Sequence, residues 1–129
     1  MKEILINGNT FSNLNGFYDE IERRFTKDLD WKIGRNLDAF NDVLRGGFGV
    51  HDYGEPIVIR WIGSAKSQSE FGYPATIKLL NSVLENCHPS NRESVKEEIE
   101  MAKNAKGETL FQTILSIIDD HDHIELRKE

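Results

Sequence analysis

Gly34-Arg35-Asn36-Leu37-Asp38-Ala39-Phe40-Asn41-Asp42-Val43-Leu44 is the stretch that decides how this chain is read. Asn36 offers a short side-chain oxygen to the unpaired N–H groups of a first helical turn, so it reads as a cap. Leu37, Phe40, Val43 and Leu44 then recur at helical spacing and form one face. Asp38, Asn41, Asp42 and Arg45 form the other. Gly46-Gly47-Phe48-Gly49 ends the pattern, because glycine accepts the left-handed conformation at a helix C-terminus. The spacing predicts a short helix over Leu37–Leu44. Its two aspartates lie one turn apart, so their carboxylates project from the same side.

On the N-terminal side, Glu3-Ile4-Leu5-Ile6 reads as a short strand and Asn7-Gly8-Asn9 as a turn. Leu14, Phe17, Tyr18, Ile21 and Phe25 mark an amphipathic helix from about Asn13 to Phe25, capped by Ser12 or Asn13. A charged connection, Thr26 to Arg35, carries Trp31 and Ile33. On the C-terminal side, a loop with His51, Asp52 and Tyr53 runs to Glu55. Ile57 to Ile62 is the clearest strand, nearly continuous in β-branched and aromatic residues, and suits a central position covered on both faces. Gly63 to Gln68 reads as a loop. Two helices are expected over about 69–86 and 91–105, with Pro74 in the first turn of the former or delaying its start. Pro89-Ser90 separates them, and Ser90 or Asn91 is the second cap. Val95, Ile99, Met101 and Ala102 are the apolar positions of the second. A last helix from Thr109 to about Asp120 and a strand from His123 to Arg127 close the order. Helical crossovers between short apolar strands imply parallel pairing and an α/β layer.

The length of 129 residues suits one domain, and 38% apolar content suffices for a packed core. Acidic residues number 22 against 16 Lys and Arg, a formal net charge of −6. That balance argues against direct nucleic-acid binding, which needs clustered basic charge, and fits a basic protein partner. Cys87 is the single cysteine, so no internal disulfide forms, as in a reducing compartment. The N-terminal residues lack the apolar run of a signal peptide. No stretch reaches the roughly 20 apolar residues of a membrane span. The expectation is a cytoplasmic protein without a membrane or cofactor partner.

The quoted segment resembles the barstar family, in which Gly-x-Asn-Leu-Asp-Ala opens the second helix and another Asp follows four residues after the first. Ile4-Leu5-Ile6-Asn7-Gly8 and Pro56-Ile57-Val58-Ile59-Arg60-Trp61 resemble the family's first and central strands, and Thr109 to Leu126 its closing helix and strand. The resemblance implies a single domain over 1–129: a three-stranded parallel sheet packed against helices, with a helical insertion at about 63–108. It implies inhibition of a bacterial ribonuclease toxin by an immunity protein that is not itself an enzyme. The second helix and the loop before it would enter the nuclease cleft, with carboxylates where RNA phosphate would sit. Asp38 and Asp42 match the family. Lys32, beside Trp31, stands where the family has a partner-facing aromatic. Asn41 replaces an aromatic between the aspartates, and Ser116 an acidic residue of the closing helix.

The expected partner-binding set is therefore Asp38 and Asp42, with Asn41, Trp31, Lys32, Arg35, Gly46 and Gly47 around them. Each admits a plainer reading. The aspartates can be a solvated helix face, and Trp31 can close the loop as a core residue. Trp61 reads as core. The Gly46–Gly49 spacing matches neither a P-loop nor a dinucleotide fingerprint. Asp119-Asp120-His121-Asp122-His123 offers metal-ligand chemistry, which would suit a metal-dependent hydrolase. Consecutive residues at a helix-to-strand junction project in different directions, so no metal is expected there. An interaction module that binds another basic protein is the alternative function.

Overall fold

The structure is a computed structural model that describes residues 1–129. Strand β1 (Lys2–Asn7) leads through a short 3-10 turn into helix α1 (Leu14–Phe25), whose cap is Asn13: its Oδ1 accepts from the Gly16 N–H at 2.8 Å. Helix α2 (Leu37–Arg45) follows a non-helical connection, then strand β2 (Ile57–Ile62). Helices α3 (Ser64–Glu70), α4 (Tyr73–Asn86), α5 (Arg92–Lys103) and α6 (Leu110–Asp119) precede strand β3 (Ile124–Lys128). The three strands form one parallel sheet in the order β1-β2-β3. The expected α/β architecture is thus observed. No helix is long and apolar enough to cross a membrane.

Alternation decides which side of the sheet the helices pack on. Ile4, Ile6, Ile57, Ile59 and Trp61 are buried and join Phe17, Ile21 and Phe25 of α1, Phe40, Val43 and Leu44 of α2, and Ile114 and Ile118 of α6 in a single core. Aromatic rings fill its centre. Phe17 stacks on Trp61 at 5.8 Å and meets Phe40 edge to face at 5.2 Å. β2 is central, as expected, but only one of its faces is covered by the apolar core. The register aligns Glu3 with Val58 and Glu125, and Leu5 with Arg60 and Arg127. The other face is therefore charged, and Arg60 makes a two-pronged contact with Glu129 at 2.7 and 2.8 Å.

The stretch read as a loop from Gly63 to Gln68 is mostly helix. Ser64–Glu70 has almost no apolar periodicity, which hid it. Its one buried position is Ser67, whose hydroxyl accepts from the Trp61 indole N–H at 3.1 Å. The helix expected over 69–86 begins at Tyr73, with Pro74 in its first turn, because α3 ends before Gly72. Asn91 precedes α5 without a side-chain capping bond, and Met101 is 47% exposed rather than packed like Val95, Ile99 and Ala102. Thr109 and Gln112 form a reciprocal capping box on α6, satisfying two free donors at once.

Candidate partner-binding site

α2 is held from three directions. Asn36 Oδ1 accepts from the Ala39 N–H at 2.7 Å and starts the helix as the sequence predicts. Phe40, Val43 and Leu44 are buried against the core. Gly46 ends the helix at φ 84°, a conformation that disfavours any side chain, and a methyl group there would collide with the Asp52 carbonyl. Asp38 and Asp42 are left exposed on the opposite side. Asp38 has no ion-pair partner within the chain, whereas Asp42 Oδ1 lies 3.3 Å from Arg45 Nη1.

The connection before α2 packs beside it. Trp31 is 53% exposed and rests on Phe48 with ring centroids 5.7 Å apart, so it does not enter the core. Trp31, Lys32, Ile33 and Gly34 form one side of a cleft of about 430 Å³. Asp42, Arg45 and Gly46 of the α2 end, with Phe48 and Tyr53, form the other. Four of the expected residues, Trp31, Lys32, Asp42 and Gly46, therefore line one cleft. Asp38 and Asn41 lie outside it on the same helix, and Gly47 is exposed next to it.

Arg35 is committed inward. Its Nη1 donates to the Asn15 carbonyl at 3.0 Å and to Asn15 Oδ1 at 2.8 Å, and its Nη2 to Asp19 Oδ1 at 2.5 Å. It ties the connection to α1, and its guanidinium holds the Asp19 carboxyl below the usual carboxylate range. Ser116 donates to Glu108 Oε1 at 2.9 Å, so a carboxylate from the preceding loop stands beside that position.

The acidic and histidine-rich run after α6 does not gather ligands. No group of three or more His, Cys, Asp or Glu side chains is placed to hold a metal ion. Its histidines turn toward α2 instead. His121 Nε2 meets Asn41 Oδ1 at 2.7 Å, and His123 Nε2 donates to the Leu44 carbonyl at 2.9 Å. The buried His51 donates to the same carbonyl at 3.1 Å. Sequence reasoning missed these contacts. Only Asn41 and His121 carried a signal, as polar residues at the edge of amphipathic elements. Phe48 and Tyr53 were likewise visible only as loop aromatics.

The structure is thus an α/β domain with a parallel three-stranded sheet, in which the exposed aspartates of α2 stand beside a cleft lined in part by Trp31, Phe48 and Tyr53. The family model described as Barstar (barnase inhibitor) matches residues 1–102, and the chain belongs to the barstar family. The match spans α3, α4 and most of α5, where the sequence resemblance placed an insertion, and ends before α6 and β3. No curated protein and no solved structure matched. Members of the family inhibit a ribonuclease by binding it as a protein partner.

Proposed function

We propose that this chain is the immunity protein of a bacterial ribonuclease toxin and acts in the cytoplasm by occluding the toxin's active site. The observation that carries this reading is the pairing of Asp38 and Asp42 on the exposed side of a helix whose other side is locked in the core. Ribonuclease sites gather Arg, Lys and His around the RNA phosphate. Carboxylates on a rigid helix accept charge-assisted hydrogen bonds from such groups without losing further conformational freedom. Trp31, Lys32, Asn41, Gly46 and Gly47 surround the aspartates and set which nuclease fits, while Arg35 holds the connection in place. The function needs no nucleophile, metal or cofactor, and the chain is not an enzyme in this reading.

Lys32 and Asn41 differ from the family's aromatic contacts, so a different nuclease toxin fits this surface as well as a barnase-type enzyme does. The same differences favour, as the alternative, a non-catalytic module for another basic protein. The test is RNA hydrolysis by barnase and by any ribonuclease encoded in a neighbouring gene, titrated with the purified protein. Activity is expected to vanish at a one-to-one ratio. Undiminished hydrolysis with a reproducible basic partner recovered from cells would replace the inhibitor with the alternative.

A further inference from the structure

The turn into β3 brings His121 against α2 across a separation of 80 residues. The contact pairs the imidazole Nε2 with the carboxamide oxygen of Asn41 at 2.7 Å. Two arrangements of such a pair are chemically distinct. An amide oxygen at Nε2 requires that this nitrogen carry the proton, whereas an amide nitrogen there requires it bare. The oxygen faces the ring here. Asn41 is half-buried on α2, and its Nδ2 makes no hydrogen bond within the chain. Asn41 is one turn after Asp38 and directly precedes Asp42.

We propose that His121 is a positioning residue that holds Asn41 with its amide nitrogen outward, so that α2 presents a hydrogen-bond donor among two acceptor-only carboxylates. This rests on the reading of α2 as the partner-facing helix. The partner surface it fits is an acceptor oxygen set among basic side chains. A uniformly cationic patch would meet the Asn41 N–H groups with donors of its own and leave them unpaired. That mismatch penalises the wrong partner more than a match rewards the right one.

The device survives changes of charge. Protonated imidazole still carries hydrogen on Nε2 and has no lone pair there, so acid cannot reverse the Asn41 amide. Arg45 of α2, His123 and Asp120 are the charged or titratable groups that act on this ring.

Nuclear magnetic resonance of the free, nitrogen-15-labelled chain tests the positioning directly. His121 is expected in the tautomer with hydrogen on Nε2 at neutral pH. The Asn41 side-chain amide signals should shift in His121→Ala and return toward the original pattern in His121→Gln, whose amide nitrogen can replace Nε2 as donor. The opposite tautomer, or Asn41 signals indifferent to His121→Ala, would overturn the proposal. Titration with barnase supplies the second arm. Asn41→Asp should weaken binding at least tenfold, His121→Ala several-fold, and His121→Gln less than twofold. Equal losses in the two His121 variants would also overturn it. If the unaltered chain does not bind barnase, that result counts against a barnase-type partner, and the free-chain spectra still decide whether His121 positions Asn41.

Discussion

Arg45 Nη1 stands 3.3 Å from Asp42 Oδ1, one turn along the same exposed helix face, and both side chains are more than half exposed. The chain thus places a cation beside one of its two key anions while leaving Asp38 without one. An exposed pair of this kind contributes little to stability, about 0–1 kcal/mol. Its consequence lies in association. Asp42→Ala should leave the folded state intact and weaken the nuclease complex by more than tenfold, about 1.4 kcal/mol. Arg45→Ala frees the carboxylate and removes a like charge facing a basic partner, so association should quicken, most visibly at low salt. Calorimetric titration and stopped-flow mixing measure the two effects. Unchanged affinity in Asp42→Ala would remove that residue from the interface.

His121 beside α2 makes stability depend on pH. Burial, with His123 and Arg45 nearby, holds the His121 pKa below its ordinary value of 6.5, and Asp120 only partly opposes this. Between the folded and unfolded values the unfolded chain binds more protons. The sign follows: the contribution is fully present above about 6.5 and is lost as pH falls through the folded value. Thermal melts should therefore show a lower Tm at pH 5.5 than at 7.5. His121→Gln, which cannot titrate, should flatten part of that slope. A slope unchanged in that variant would assign the acid sensitivity elsewhere.

Gly46→Ala should damage the end of α2. The substitution forces a side chain onto a φ of 84° and into the Asp52 carbonyl. Strain of this kind costs about 1–3 kcal/mol, readable in urea denaturation. Hydrogen exchange should quicken at the α2 C-terminus. Wild-type stability in this variant would mean that the turn relaxes around the methyl group.

Ser67→Ala leaves the buried indole N–H of Trp61 without an acceptor. The expected loss is about 1–3 kcal/mol, despite removal of a single oxygen from a helix with little apolar character. Trp61 emission should shift if the ring moves. A change below 0.5 kcal/mol would mean that a water replaces the hydroxyl, on the order of what surface substitutions cost.

Arg35→Ala separates holding the connection from touching the partner. With its contacts to Asn15 and Asp19 gone, the segment before α2 should exchange amide hydrogens faster in the free chain. Overall stability should change little, since the network is exposed. Lost affinity with unaltered exchange would reassign Arg35 as a direct contact.

Much of the fold was legible because a few residues determine it locally. Asn36, the apolar spacing of Leu37 to Leu44 and the glycines after it specify α2 from both ends. The β-branched run from Ile57 identifies the central strand. Ser64–Glu70 was not legible, since its helix is stabilised by what Ser67 meets in the core rather than by an apolar stripe of its own. The charged surroundings of the second face of β2 were hidden for a related reason. Val58 reads as apolar wherever it points, and only the register with Glu3 and Glu125 reveals its charged neighbours.

The candidate site divides along the same line. Asp38 and Asp42 share a side because helical geometry acts over four residues, and the sequence alone determines that. Trp31 against Phe48, Arg35 against Asp19 and His121 against Asn41 depend on how elements far apart in the chain pack. Each pair requires a long loop to close, and closure is favoured by the whole core rather than by either partner. Local pattern therefore determined which residues α2 offers, and only the tertiary structure decided what surrounds them and which way Asn41 faces.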